Sequence, residues 1–248
     1  MKFFIAAPFG NYLKFKNNNN VIPVTGTWTL DKRANFWKRF YKILTTLRYD
    51  FKQDGWVNKL GLPNPGIKIG MKKNLSNEIL SIAAIDRTDW LKLHEIVGDD
   101  INIEINLSCP NLDEKSNLFT SDDLRLFTLK KSKEKKWCIA KISPLTTLDE
   151  LKYLINDLGF AQIHCCNTLP VKRGGLSGRS LKPYVVKLIK IIRENWGEKI
   201  EIIAGGGVNS IKDVHNYVSL GANHISIGTA SFKPWIIGNI VDEFYNQK

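Results

Sequence analysis

Short apolar runs recur along the chain at fairly even intervals, and each is about as long as a buried β-strand. The run INIEINLS at residues 101–108 alternates apolar and polar positions, which is typical of a strand with one face in a core. Pro110 has no N–H to donate to a neighbouring strand, so this strand must end near Cys109. Eight runs of this kind are predicted strands: residues 3–8, 21–26, 79–85, 101–108, 137–143, 161–166, 200–206 and 224–229.

Segments of helical length separate most of these runs. Their apolar residues recur every three to four positions, and several segments begin with Thr or Ser, which cap helix N-termini. The clearest lie at residues 88–97, 147–158, 183–196 and 210–220. Because strands that alternate with helices form parallel sheets, we predict an α/β fold. Eight units in 248 residues favour a (β/α)8 TIM barrel, with residues 1–248 as a single domain, and a doubly wound open sheet is the alternative.

Two glycine-containing loops follow the seventh and eighth predicted strands, AGGGVNS at residues 204–210 and IGTAS at residues 227–231. Consecutive glycines let backbone N–H groups close around an anion, and Ser210 can cap the helix that follows. A lone glycine run more often makes a tight turn. In a TIM barrel, however, the loops after strands seven and eight frequently hold a phosphate, so the two loops together predict a phosphate site.

Polar residues cluster at the predicted carboxyl ends of strands four to six, which meet at one rim of a barrel. They are Asn106, Ser108, Cys109, Asn111, Lys141, Asn167 and Thr168. Asparagine amides suit a planar ligand edged with amide and carboxylate groups, the Cys109 thiol is a candidate nucleophile or base, and the Lys141 ammonium could stabilise a developing anion. Each has a structural alternative: a strand lysine can be an ion-pair partner, a lone cysteine an inert apolar residue, and an asparagine a turn former.

Hydrophobic residues make up 43% of the chain, which is enough for a large core. There is no run of about 18 apolar residues, and the opening MKFFIAAPFGNY meets proline and glycine too early for a signal peptide. We therefore expect a soluble, cytoplasmic protein. The four cysteines, Cys109, Cys138, Cys165 and Cys166, show no zinc-type spacing, so neither a metal nor disulfides are expected.

The formal net charge of +12 is compatible with nucleic acid, an acidic membrane surface or small anionic ligands. Composition alone does not separate these partners. The one dense basic run, KKSKEKK at residues 130–136, is interpreted as a solvated surface turn between a helix and a strand. This run is therefore not expected to form a nucleic-acid groove.

Six motifs occur along the chain in a fixed order. They are NLSCPN at 106–111, AKISP at 140–144, NT at 167–168, GGLSG followed by LKP within 174–183, IIAGGGV at 202–208 and GANHISIGTA at 221–230. In order and register they resemble the dihydroorotate dehydrogenase family, over roughly residues 55 to 235. The segment VNKLGLPNPG at 57–66 resembles the substrate-binding loop of that family.

The resemblance implies an FMN-dependent oxidation of dihydroorotate to orotate in pyrimidine biosynthesis. Cys109 matches the base that removes the C5 proton while a hydride passes from C6 to flavin N5, and Lys141 matches a lysine at the flavin N1 and O2 edge. A cysteine base is typical of the soluble class 1 enzymes, which implies a homodimer. Residues that match substrate contacts are Asn58, Leu60, Gly61, Asn106, Asn111, Asn167 and Thr168. Residues that match flavin contacts are Ala6, Ala7, Asn106, Lys141, Gly178, Gly206, Gly207, Gly228 and Thr229.

The chain departs from the family pattern at three places. Gly26 stands where class 1 enzymes carry a second lysine, LDEKSN follows SCPN in place of a glycine-containing loop, and only TLPVKR separates Asn167 from Gly174. A smaller cover over the substrate would admit more solvent. Two other functions therefore stay open: another FMN-dependent oxidoreductase on a related pyrimidine, as in the dihydrouridine synthases of transfer RNA, or a catalytically impaired barrel that binds FMN or phosphate.

Overall fold

The computed structural model describes residues 1–15, 18–107, 122–129 and 135–246. Twelve strands lie in these ranges: β1 (Phe3–Ile5), β2 (Val21–Trp28), β3 (Arg48–Asp50), β4 (Gly55–Asn58), β5 (Ile79–Ile82), β6 (Ile103–Asn106), β7 (Cys138–Lys141), β8 (Gln162–Cys165), β9 (Leu169–Val171), β10 (Gly174–Gly178), β11 (Glu201–Gly205) and β12 (His224–Ile227). Eight of these are parallel and close a barrel in the order β1, β2, β5, β6, β7, β8, β11, β12 and back to β1. Each overlaps one predicted strand. The TIM barrel is confirmed, and the open sheet is wrong.

Helices alternate with the strands of the barrel. Those in the described ranges are α1 (Phe36–Thr46), α2 (Ile67–Lys73), α3 (Asp89–Val97), α4 (Leu126–Leu129), α5 (Leu148–Lys152), α6 (Lys182–Trp196), α7 (Ile211–Ser219) and α8 (Pro234–Asn246). The helix predicted at 147–158 begins as α5, capped by Thr147 with Glu150, and continues as a wider π-type turn. Ser210 caps α7 as predicted, accepting a hydrogen bond from the N–H of Asp213. None of the helices described is both long and apolar enough to cross a bilayer.

The side chains of each barrel strand alternate between the barrel interior and the surrounding helices. Phe3 faces outward and meets the ring of Phe244 on α8 edge-on, with 5.6 Å between the ring centroids. Phe4 faces inward and forms an apolar layer inside the barrel with Val24, Ile79, Ile139 and Ile203. Closer to the carboxyl ends of the strands the inward positions are polar instead, and Glu104 and Lys141 lie there, both buried.

A second, antiparallel sheet of four strands in the order β3, β4, β10, β9 was not predicted from the sequence. It is built from two excursions, one after β2 and one after β8. The two meet where β4 pairs with β10, with Asn58 opposite Gly175 and Gly55 opposite Gly178. The backbones approach so closely there that a Cβ on Gly55 would lie 2.4 Å from the carbonyl oxygen of Ser177. This pairing joins residues more than 110 positions apart and brings Asn58 and Gly178 to the same end of the barrel.

Several predictions fall on residues outside the described ranges. They concern Ser108, Cys109, Asn111, the segment LDEKSN at 112–117 and most of the basic run at 130–136.

Candidate active site

Two adjoining cavities open at the carboxyl ends of the barrel strands. The first, named cavity A, has a volume of about 170 Å³ and lies beside the loop that follows β4. The second, named cavity B, has a volume of about 360 Å³ and lies beside the glycine loops after β11 and β12. The two share a wall that includes Asn58, Lys141 and Asn167. Two small ligands bound in them would therefore touch each other.

The predicted site residues divide between these cavities. Those predicted for the substrate line cavity A where they are described: Asn58, Leu60, Gly61, Asn106, Asn167 and Thr168. Those predicted for the flavin line cavity B: Ala6, Ala7, Lys141, Gly178, Gly206, Gly207, Gly228 and Thr229. Asn106, predicted for both, lines cavity A. Segments from six strand ends and from the second sheet are thus brought together.

Lys141 belongs to a buried polar cluster inside the barrel. Its ammonium lies 3.6 Å from the Glu104 carboxylate, which also accepts hydrogen bonds from His164 Nδ1 at 2.7 Å and from the Ser81 hydroxyl at 2.9 Å. Burial by itself raises the pKa of Glu104, but the charge of Lys141 and the bonds from His164 and Ser81 outweigh it and lower that pKa to about 2. Burial lowers the pKa of His164 in spite of Glu104. The cluster therefore holds an ionised carboxylate, a neutral imidazole and a cation.

A chain of hydrogen bonds leads from this cluster to the asparagines of cavity A. The hydroxyls of Ser81 and Thr27 lie 3.0 Å apart, and Asn106 Nδ2 donates to Thr27 Oγ1 at 3.2 Å. Asn167 Nδ2 then donates to Asn106 Oδ1 at 2.8 Å. Because both ends of the Asn106 amide and the Nδ2 end of the Asn167 amide are bonded within this chain, the orientations of both amides are fixed before a ligand arrives.

The loop after β4 is fixed by basic and amide side chains. Lys42 Nζ donates to the carbonyl oxygen of Leu60 at 2.9 Å, and Arg33 Nε donates to that of Gly61 at 3.1 Å. Asn64 Oδ1 accepts from the N–H of Gly66 at 2.8 Å. Leu62 has a φ of 53°, a conformation that a leucine adopts only where its surroundings enforce it. The loop thus presents a shaped edge to cavity A.

Gly26 lines cavity A at the place where the family pattern calls for a lysine. Its φ is +102°, and a Cβ there would lie 2.5 Å from the Ser81 carbonyl oxygen and 2.7 Å from Trp28 Cδ1. The side chain of Asn11 holds this backbone, accepting from the N–H of Gly26 at 3.1 Å and donating to its carbonyl at 3.2 Å. The local backbone therefore excludes any side chain at position 26, and this position contributes no charge to the wall of cavity A.

Cavity B suits a ligand in which a phosphate is joined to a polyhydroxylated chain. Gly206 and Gly207 have φ values of +129° and +72°, and a Cβ on Gly206 would lie 2.9 Å from Leu181 Cβ, so the loop backbone itself faces the cavity. At Gly228 a Cβ would meet nothing closer than Ala6 Cβ at 3.9 Å, which leaves a cradle that a side chain would fill. The Ser226 hydroxyl, in the wall of the cavity, is buried and has no hydrogen-bond partner among the described residues. FMN has the groups to satisfy these atoms.

The structure adds residues that the sequence analysis did not select. Glu104 and His164 were missed, although the alternation of IEIN places Glu104 on the same face as Asn106 and so gave a usable pattern. Arg39 was missed because nothing near it in sequence marks α1 as part of a site. Cys165 and Cys166 are buried, and burial raises the pKa of Cys166 to about 12, which favours the protonated thiol at neutral pH.

Comparison with known proteins comes from sequence and from fold. The family described as dihydroorotate dehydrogenase matches residues 47–247. The dihydroorotate dehydrogenase B (NAD(+)) catalytic subunit of Staphylococcus carnosus is 30% identical over 217 residues, which is 76% of this chain and 70% of that protein. The subunit of the same name from Oceanobacillus iheyensis is 28% identical over 222 residues, 76% of this chain and 71% of that one. A crystal structure of Eimeria tenella DHODH with ferulenol superposes with a TM-score of 0.69 at 18% identity, covering 94% of this chain and 76% of that one.

Proposed function

Because the chain belongs to the dihydroorotate dehydrogenase family, whose members are oxidoreductases acting on a CH–CH bond, we propose that it oxidises dihydroorotate to orotate with FMN. The observation that carries this proposal is the wall between the two cavities. Lys141, Asn58 and Asn167 border both, so a flat substrate in cavity A would lie against a flavin in cavity B. Contact between the two rings is what direct hydride transfer requires.

The polar lining of cavity A supports a pyrimidine substrate. A pyrimidinedione ring carries alternating N–H donors and C=O acceptors along one edge, and asparagine amides pair with both. Asn106 and Asn167 are held by the hydrogen-bond chain from the barrel interior, so they need little ordering when the ring binds. Asn111 is proposed as a further contact from its place in the SCPN motif.

Cavity B supports FMN. The backbone of Gly206 and Gly207 would hold the phosphate, with Gly228 and Thr229 at the neighbouring strand end, and the Ser226 hydroxyl would gain the partner it lacks among the described residues. Lys141 would place its charge at the ring edge that becomes electron-rich on reduction. Bound FMN supplies a hydride acceptor, which the side chains of proteins do not.

Cys109 is proposed as the base. In the oxidation the C5–H bond would break with its proton going to the Cys109 sulfur, the C6–H bond would break with its hydride going to the acceptor that bound FMN supplies, and a C5=C6 double bond would form. Cys109 follows Asn106, whose side chain lines cavity A, by three residues in the sequence. A free thiol has a pKa of about 8.5, and a mouth lined by cations favours the thiolate that accepts the proton.

The test is anaerobic mixing of the purified protein with dihydroorotate while the visible absorbance of flavin is followed. We expect the wild type to be yellow and to bleach, and Cys109→Ser to keep its flavin but bleach more slowly by two or more orders of magnitude. Cys138→Ser is the matched control and should bleach like the wild type. A colourless protein, or a flavin that dihydroorotate does not reduce, would instead support the catalytically impaired barrel.

We further propose that residues 1–248 act as one domain, that the chain forms a homodimer, and that it works in the cytoplasm. The single domain rests on the eight strand–helix units of the barrel, and the homodimer and the cytoplasmic location rest on the family resemblance. Light scattering during size-exclusion chromatography tests the dimer: a mass close to twice 28.2 kDa supports it, and the monomer mass contradicts it.

A further inference from the structure

Arg39 is the charged residue that the proposed reaction leaves without a role. It lies in α1, and its side chain lines both cavities. Its guanidinium lies 5.5 Å from the centre of the Tyr12 ring, a cation–π distance. In the described part of the chain the guanidinium makes no hydrogen bond or ion pair. All five of its N–H donors are therefore available, as far as those residues are concerned.

The position of Arg39 is fixed by the way α1 rests on the loop after β4. Lys42, three residues further along the helix, binds the Leu60 carbonyl, and Ile43, one turn after Arg39, lines both cavities. Asn35 caps the start of the helix, accepting from the N–H of Lys38 at 2.9 Å. The N-terminal cap and the contact of Lys42 with the loop thus lie on either side of Arg39 along the helix.

The charges on the side chains that line the two cavities favour an anionic ligand. Lys141 has Glu104 as its buried counter-ion at 3.6 Å. Arg39 has no such partner among the described residues, and no acidic side chain of the described chain lines either cavity. A half-buried guanidinium is stabilised by a planar carboxylate, which it binds through two parallel hydrogen bonds.

We propose that Arg39 is a substrate-binding residue that pairs with the carboxylate of the substrate in cavity A. The inference rests on the proposed function, since dihydroorotate carries such a carboxylate. It also explains how a site whose backbone excludes a lysine at position 26 retains a cation for the anionic group. Arg39 therefore makes the site specific for a carboxylated pyrimidine over a neutral one.

The test is calorimetric titration of the purified protein with orotate and with the neutral methyl ester of orotate. Arg39→Gln should weaken orotate binding about ten- to a hundred-fold, the usual loss for a charge-assisted hydrogen bond, and leave the binding of the ester within about two-fold. Lys38→Gln removes one charge from the same helix at an exposed position and should bind both like the wild type. Arg39→Lys keeps the charge without the two-pronged geometry and should bind orotate between the two.

The outcomes distinguish failure of the Arg39 proposal from failure of the proposed function. Wild type that binds orotate, with Arg39→Gln equally tight, would overturn the role of Arg39 and leave the proposed function standing. Equal weakening of orotate and ester would overturn it as well, because the arginine would then support the cavity rather than the carboxylate. Wild type that binds no orotate would overturn both. If Arg39→Gln does not fold, Arg39→Lys carries the same comparison.

Discussion

The loss of stability on removing the buried Glu104 carboxylate can be estimated from the structure. It is 1% exposed and holds the Lys141 ammonium, His164 Nδ1 and the Ser81 hydroxyl at once. Glu104→Gln keeps the shape and removes the charge. The ammonium of Lys141 then stays buried without its counter-ion, so we expect a strong loss of stability.

Two independent magnitudes agree on the size of that loss. Removing one partner of a buried ion pair costs about 3 to 5 kcal/mol. The pKa of Glu104 is lowered from 4.5 to about 2, and at 1.36 kcal/mol per unit that shift corresponds to roughly 3 kcal/mol. For a chain of this length a loss of about 3 kcal/mol lowers the melting temperature by roughly 6 to 12 °C.

The sign of the pH dependence follows from the same shift. The unfolded chain takes up a proton at Glu104 near pH 4.5 and the folded chain only near pH 2, so the stabilisation is complete above 4.5 and is lost as the pH falls toward 2. The difference between wild type and Glu104→Gln should thus be about 3 kcal/mol at pH 7 and roughly 1 kcal/mol at pH 3.

Urea unfolding followed by circular dichroism, at pH 7 and at pH 3, measures this difference. Glu201→Gln is the matched control: it also removes a glutamate bonded to a histidine, His224, but its side chain is 37% exposed, so we expect about 1 kcal/mol or less. In a double-mutant cycle with Lys141→Met, the sum of the stability losses in the two single variants should clearly exceed the loss in the double variant. A cost below about 1 kcal/mol at pH 7, or a difference that does not shrink at pH 3, would refute the reasoning.

Three further predictions concern single residues. Gly228→Ala should leave the melting temperature nearly unchanged, because its Cβ would meet nothing closer than 3.9 Å. The same variant should lower the flavin content measured by absorbance. Gly238→Ala, on α8 with open space around it, is the control that should keep its full flavin content. Gly26→Ala should destabilise the fold by about 2 kcal/mol or more, since φ is +102° and the Cβ would collide with backbone, and urea unfolding would contradict this with a loss below about 0.5 kcal/mol. Thr147→Ala removes the capping box of α5 and should cost about 1 kcal/mol in the same measurement, whereas an unchanged midpoint would show that the cap is not needed.

The sequence by itself determined the barrel. Strand and helix differ in the spacing of apolar residues, and that spacing depends only on backbone geometry, so all eight barrel strands could be located without knowledge of their partners. The same topology puts every carboxyl strand end at one rim. Asn106, Lys141 and Asn167 could therefore be selected as neighbours although they are far apart in the chain.

The tertiary structure alone decided the second sheet and the charges around the cavities. Strands β3, β4, β9 and β10 are short, and β4 pairs with β10 over more than 110 residues, so no local pattern marks them. Arg39 reaches both cavities only because α1 rests on the loop after β4, a contact that no spacing along the chain records. Glu104 acquires its low pKa from Lys141 and His164 on two other strands. Periodicity is a local property of the backbone, whereas electrostatic interactions depend on distances across space, which only the folded chain defines.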